Sequence, residues 1–411
     1  MSLFKFNQKH ITLKDYFTSL DIGEHKISCG VGSFDRKQGK IKILYSTHQA
    51  SQGIKSSHIT HIEKLEDNLL NIIHNCEKNT KKIIKSAYVQ VPSAILNYQK
   101  VHISLKLSKQ FVKEFHLNQL LLMACQKNKD KQDVLIHVSA ISYQLDQNQS
   151  VKNPLGLLGE ELSADIILIS ANRQWIKNIS NCLNRCQIHI DGFVCDTLAS
   201  SLSICSSDEK ELGVTLIDIG ATHTSFASFL NGSMQNIGSI PIGGHHVTND
   251  IARGLSVSLH QAERLKNFYG SLIGTYHDDQ DHILVTQLGD LPHHTPKEPI
   301  SKGILQKIIQ ARMDELFDYT FKNLKKMSID PLCLDRFILC GGGSLMQGTR
   351  EFFMEKTQKI VRLGLPSYGN ASFACMEGLL YYGFSQQMEQ KILKTFPSSF
   401  WYRFKTWLNA D

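Results

Sequence analysis

The chain has 411 residues, 42% of them apolar and 20% charged, with a formal net charge of +7. That length exceeds what one hydrophobic core organises and suits about two to four domains, in a composition typical of globular proteins. The dispersed positive charge does not predict nucleic acid as a partner, and ten cysteines with no CxxC pair exclude a disulfide scaffold. Met1 to His10 leads into a charged segment instead of an apolar core, so no secretory leader is expected. No run of about 18 apolar residues is present to span a bilayer. The protein is expected to stay in the cytoplasm.

The first strong pattern is Phe17-Thr18-Ser19-Leu20-Asp21-Ile22-Gly23, an apolar strand that ends on a carboxylate and a glycine turn. Cys29 to Ser33 and Ile41 to Tyr45 continue it as a meander around Gln38-Gly39. Ile62, Leu65, Leu69, Ile72, Ile73 and Cys76 recur at three and four, which predicts a helix packed on a sheet. The strand Ser86 to Val91 stops at Pro92.

From Pro92 to about Ser163 the texture changes: Tyr98 to Leu105 alternates, Leu117 to Ala124 predicts a helix, and Val134 to Tyr143 predicts further strand. This segment reads as a small α+β insertion. The Asn153-Pro154-Leu155-Gly156 turn then returns the chain to the lobe through the strand Asp165 to Ser170. A helix from about Gln174 to Arg185 follows, carrying Cys182 and Cys186 as reduced core residues.

The opening pattern then recurs 197 residues on, as Val214-Thr215-Leu216-Ile217-Asp218-Ile219-Gly220. A strand Thr224 to Leu230, an Asn231-Gly232 turn and a strand Ser233 to Pro241 follow it. A repeated layout of strand, strand, turn and strand is stronger than either copy alone. Later, Phe337-Ile338-Leu339-Cys340 runs into Gly341-Gly342-Gly343-Ser344.

Gly-rich turns offer backbone N–H groups with no Cβ in the way, and a neighbouring carboxylate can hold magnesium through its waters. Asp21 with Gly23 and Asp218 with Gly220 supply this twice, facing one cleft if the halves are related by a pseudo-twofold axis. Gly341 to Ser344 lets backbone approach a ribose or base, and Glu263 and Lys266 share a helix edge at i,i+3. Taken singly, these features are also what a capped turn or a solvated ion pair looks like. Their order along the chain points to ATP with Mg2+. The histidine pairs His58/His61, His245/His246 and His293/His294 lack partners at metal spacing.

With these motifs the chain resembles the actin-like ATPase superfamily and, within it, the FtsA family, over residues 16 to 408. The residues that carry the resemblance are Asp21-Ile22-Gly23, Asp218-Ile219-Gly220-Ala221, Ala262-Glu263-Arg264-Leu265-Lys266 and Cys340-Gly341-Gly342-Gly343-Ser344. Val151 to Gly159 resembles the return from that family's insertion. The implied fold is α/β: an actin-like, ribonuclease H-like duplicated two-lobe fold with an inserted α+β subdomain. The implied nucleotide contacts are Asp21, Gly23, Lys26, Asp218, Gly220, Ala221, Thr222, Glu263, Lys266, Gly341, Gly342, Gly343 and Ser344, with Asp21 and Asp218 on the metal side.

Three residues depart from that family's pattern. Glu24 stands where a small hydroxyl residue is usual, Thr222 where glycine is usual, and His223 where threonine is usual. Weak or absent ATPase activity is therefore expected, and no water-positioning base declares itself.

The expected divisions are 16–92 and 164–205 for the first lobe, 93–163 for the insertion, 206–245 and 313–384 for the second lobe, and 246–312 for a small nucleotide-side subdomain. A polar linker, 385–398, and an amphipathic helix, 399–411, complete the chain. In that helix Phe400, Trp401, Phe404, Trp407 and Leu408 form one bulky apolar face beside Arg403 and Lys405, a pattern suited to an anionic membrane surface. A helix docked on the body or in a partner groove would show the same spacing.

The resemblance implies a cell-division adaptor that attaches FtsZ to the inner face of the cytoplasmic membrane at the division septum. It further implies self-association into actin-like protofilaments, recruitment of later divisome proteins by the insertion, and receipt of the FtsZ C-terminal tail by 246–312. The His/Asp-rich stretch His277 to His294 reads as a loop without an assigned partner. Two other readings share the fold: a sugar kinase, for which no acceptor-side aspartate stands out, and a membrane-associated pilus-assembly protein.

Overall fold

The computed structural model describes residues 16–35, 40–128, 132–146, 149–274, 279–286, 298–327 and 329–393. The first lobe is built on a five-stranded sheet, in the spatial order His189–Cys195, Ser86–Val91, Phe17–Ile22, Lys26–Asp35, Lys40–Ala50. The second repeats the plan as Ile360–Leu363, Arg336–Cys340, Val214–Ile219, Thr224–Leu230, Ser233–Ile240. In each, an antiparallel meander of three strands is extended by parallel strands on the side of its first member. The equivalence reaches single residues, because Asp21 pairs with Ser28 and Asp218 with Ser225 at matching places in the two hairpins.

The alternation and helical spacing in the sequence explain the cores. The helix Ile62–Thr80 buries Leu65, Leu69, Ile72, Ile73 and Cys76 against the first sheet, with Cys182 and Cys186 in the same core. In the second lobe, Phe317 and Phe321 of the helix Lys302–Lys326 pack with Phe337 and Phe353 in an edge-to-face and stacked cluster.

Three expected boundaries move. The strand Leu158–Ala171 does not return to the lobe: it is the central strand of the inserted sheet, paired along its length with Leu96–Phe111 and Val134–Leu145. Its apolar run Ile166 to Ile169 is buried on both faces, which is why it reads like a lobe strand. The insertion, with its helix Glu114–Gln126, therefore extends past 163 to Ala171. The expected division at 312 falls inside the continuous helix Lys302–Lys326.

Residues 374–384, assigned to the second lobe from the sequence, lie instead on the first. Met376 and Leu380 of the helix Ala374–Leu393 pack with Phe17 and Ile41, and added Cβ atoms at Gly30 and Gly32 would meet these two side chains. The same helix continues through the expected linker as far as Leu393, because Gln386 to Gln390 are competent helix formers. The remainder of the linker and the amphipathic segment 399–411 lie outside the described residues, as does most of His277 to His294.

The helices Asp196–Ile204 and Ala374–Leu393 cross where the lobes join. At the crossing Gly378 lies directly on the backbone of Ala199, and a Cβ there would collide with the Ala199 carbonyl. Overpacking a site of this kind costs on the order of 1–3 kcal/mol. Gly378→Val is expected to lower the urea midpoint of unfolding accordingly; an unchanged midpoint would show that the crossing yields without cost.

Candidate functional site

The two hairpin turns fold alike for a local reason. Gly23 N donates to Lys26 O at 3.1 Å and Gly220 N to His223 O at 3.0 Å, so each strand ends in the same three-residue reversal after its carboxylate. Added Cβ atoms at Gly23 and Gly220 would stand 2.9 and 2.8 Å from those same carbonyls. The turns face each other across a cavity of about 850 Å³.

Asp21, Gly23, Lys26, Asp218, Gly220, Ala221, Thr222, Glu263, Lys266, Gly341, Gly342 and Gly343 all line that cavity. Ser344 does not: it is buried, and its hydroxyl donates to Gly341 O at 2.8 Å, holding the glycine turn in shape. The three glycines have different tasks. Gly341 has φ +81°, and a Cβ on it would collide with Asp218 and with the Ile219 carbonyl. A Cβ on Gly343 would collide with the Ile219 side chain, whereas one on Gly342 would meet nothing within 4 Å. Gly342 thus presents bare backbone to the cavity.

Glu263 and Lys266 hold each other on the opposite wall. Lys266 Nζ lies 2.7 Å from Glu263 Oε2, 2.9 Å from Thr248 Oγ1 and 3.2 Å from Gly244 O. Lys26 Nζ donates to Ser372 Oγ at 2.6 Å and stands 3.6 Å over the Phe373 ring. Burial pulls the Lys26 ammonium below its ordinary range, although Asp21 and Asp218 both oppose that shift.

Sequence reasoning missed several residues here. Asp196, at the start of the crossing helix, accepts from Ser93 N at 2.9 Å, Thr197 N at 2.6 Å and Ser225 Oγ at 3.1 Å, and from the Ser93 hydroxyl. It ties the insertion, the first lobe and the second hairpin to one carboxylate, yet its local sequence, Val194-Cys195-Asp196-Thr197, has no glycine to mark it. Gly243 was also missed: a Cβ there would stand 2.7 Å from Gly220 O, so the helix Gly244–Gly254 starts against the second turn. Its signal was the Gly243-Gly244 pair after Pro241-Ile242. Gln90 lines the cavity too, and its buried Oε1 has no hydrogen-bond partner.

The lining of the cavity is predominantly acidic. Five carboxylates, Asp21, Glu24, Asp196, Asp218 and Glu263, line the cavity against two lysines. Asp21 and Asp218 open onto the cavity but are otherwise packed in protein. Desolvation, opposed by Lys26 and reinforced by Asp196, pushes Asp21 up to about 6. Desolvation, then Asp196 and Asp21, push Asp218 up to about 7. Buried thiols soften this only partly, Cys375 hydrogen-bonding Asp21 and Cys340 hydrogen-bonding Asp218. Among the described residues, no group of three or more His, Cys, Asp or Glu side chains forms a metal cage. That donor set suits a hydrated magnesium ion, which keeps several waters, better than zinc.

Because both carboxylates bind protons more tightly when folded than when unfolded, their contribution to stability is full below about pH 4 and lost as pH rises through 6 to 7. The ligand-free protein is therefore expected to lose thermal stability across that window. Asp218→Asn should flatten the loss and raise the midpoint at pH 8 by roughly 2–4 °C, the shift that about 1 kcal/mol produces in domains of this size. A midpoint that rises with pH in the unsubstituted protein would contradict it.

Comparison with known proteins agrees with this arrangement. A family model described as "Cell division protein FtsA" matches residues 215–378, and one described as "SHS2 domain inserted in FTSA" matches residues 94–170. The chain is 30% identical to the cell division protein FtsA of Agrobacterium fabrum over 356 residues, covering 84% of this chain and 80% of that protein. It is 28% identical to the FtsA of Pseudomonas aeruginosa over 389 residues, covering 93% and 92%. Among solved structures, a PilM-PilN type IV pilus biogenesis complex superposes with a TM-score of 0.64 at 13% identity, over 89% of this chain and 98% of that one. MreB5 of Spiroplasma citri bound to ADP superposes at 0.58 and 14% identity, over 92% and 99%. These two likenesses concern the actin-like fold alone. The SHS2 match ends at 170, beside the Ala171 end of the long insertion strand. With its duplicated hairpins, its insertion and sequence relatives along most of its length, the chain belongs to the FtsA family of actin-like cell division proteins.

Proposed function

We propose that the cleft binds Mg·ATP and that the protein, through its C-terminal tail, tethers filaments of FtsZ to the membrane. The observation that carries the nucleotide reading is the pair of Asp-Ile-Gly turns with matching hydrogen bonds that line one cavity, completed by the bare backbone of Gly342. A triphosphate needs N–H donors and charge compensation in place of its water. Gly23 N and Gly220 N close their own turns, so the donors in this reading are the N–H groups that follow them, at Glu24 and Ala221, while Gly341 to Gly343 leave space for a ribose or base edge. Glu263 is placed on the cavity wall to accept from ribose hydroxyls, with Lys266 fixing its orientation.

A magnesium ion would supply charge neutralisation for the phosphates. Asp21 and Asp218 would hold it through its waters, and Gln90 Oε1 is an unused acceptor for one of them. Asp218→Ala is expected to reduce the magnesium dependence of ATP binding, and an intact dependence would move the metal role elsewhere. Gly342→Val puts methyl groups into the space left for the ligand and should weaken ATP affinity by at least about tenfold, or 1.4 kcal/mol, in calorimetry. Equal affinity would remove Gly342 from the site.

The tethering part rests on the sequence of the tail and on family membership. Several buried aromatic rings, each contributing on the order of 1.5–3 kcal/mol, offset the ordering of a short helix at a lipid surface. The face formed by Phe400, Trp401, Phe404, Trp407 and Leu408, with Arg403 and Lys405 beside it, is the membrane contact in this reading. The FtsZ C-terminal tail is received by the second lobe's small subdomain, and the insertion serves self-association into protofilaments and recruitment of later division proteins. The site of action is the inner face of the membrane at the septum. Removing Phe400 to Asp411 should shift the protein from the anionic-vesicle pellet to the supernatant while ATP affinity stays the same. Unchanged sedimentation would end the tail's role.

A further inference from the structure

Glu24 is the residue of this cavity that a phosphate site should not contain. It sits in the turn of the first hairpin, immediately after Gly23, and Thr222 sits in the matching turn of the second. In the structure the two meet: Thr222 Oγ1 donates to Glu24 Oε2 at 2.7 Å. Beside this bond the His25 and His245 rings make an edge contact at 5.8 Å, again between the first turn and the second lobe. The two sides of the cavity are thus bridged by contacts that belong to no sheet or core.

We propose that Glu24 is a built-in competitor of the terminal phosphate: it occupies the Thr222 hydroxyl, latches the two turns together without ligand, and sets the preference of the site between nucleoside diphosphate and triphosphate. This rests on the reading of the cleft as a nucleotide site. The physical argument is one of charge and donors. A phosphoryl oxygen entering between the turns needs the hydroxyl that Glu24 already holds, and it meets a carboxylate at close range. The cavity cannot compensate, because its two lysines are committed, Lys266 to Glu263 and Lys26 to Ser372 beside Asp21 and Asp218. Entry of a third phosphate therefore requires Glu24 to turn away or to share a divalent cation. A diphosphate carries no group to that position and is spared the conflict.

Two measurements separate the latch from the ligand preference. Without nucleotide, Glu24→Ala and Thr222→Val should each lower the thermal midpoint, and the double variant should lower it no further than the larger single loss, because both remove one bond. Additive losses would overturn the latch. With nucleotide, Glu24→Gln and Glu24→Ala should tighten ATP binding by at least about tenfold at limiting magnesium and ADP binding by less than about threefold, read by calorimetry as a change in the ATP-to-ADP ratio. Nucleotide binding by all three proteins at an unchanged ratio would overturn Glu24's role and leave the nucleotide site standing. Failure of all three to bind either nucleotide, with the two midpoint losses still non-additive, would overturn the site and the competition together and leave only the latch.

Discussion

The structure depends on a place where the chain has no room for a methyl group. Gly378 of the helix Ala374–Leu393 rests on the carbonyl of Ala199 in the helix Asp196–Ile204, and only a residue without a side chain permits that approach. The second helix starts with Asp196, whose carboxylate gathers donors from the insertion, its own first turn and the second hairpin. Close crossing and shared carboxylate together put Asp21 and Asp218 within electrostatic reach of each other. The cavity exists because two copies of one hairpin are held face to face at that distance.

Holding them there has a cost that a ligand can relieve. Buried carboxylates resist ionisation, and desolvation drives the shift at both positions, with Asp196 adding to it at each. In the proposed reading, a cation with phosphate oxygens would offset that desolvation on binding. The cross-cleft bond from Thr222 to Glu24 belongs to the same balance, since it gives the ligand-free cleft one favourable contact that a ligand must replace. For an actin-like cell division protein whose two hairpins face one cavity, that balance is a natural point of control in the proposed reading.

The insertion shows how a lobe-like strand can be misplaced. Ile166 to Ile169 is apolar on both faces in the way central lobe strands are, and residue pattern alone cannot say which sheet a doubly buried strand joins. Pairing with Leu96–Phe111 and Val134–Leu145 decides it. The last described helix makes the same point, since its apolar residues suit either lobe and only Met376 and Leu380 packing on Phe17 and Ile41 assigns them to the first.

By itself the amino-acid order determined the duplicated hairpins, the glycine turns and the helix carrying Glu263 and Lys266, because each is written in local chemistry: β-branched runs, a carboxylate, residues without a side chain, and a three-residue spacing. What it left open were relations between distant segments. That Asp196 bonds both lobes, that Ser344 supports Gly341 from behind, that Gln90 faces the cavity without a partner, and that Glu24 finds Thr222 were all decided when residues far apart in the chain were packed together. A hydrogen bond between turns 198 positions apart has no periodicity to announce it, and its partners are set only by the crossing that fixes the lobes.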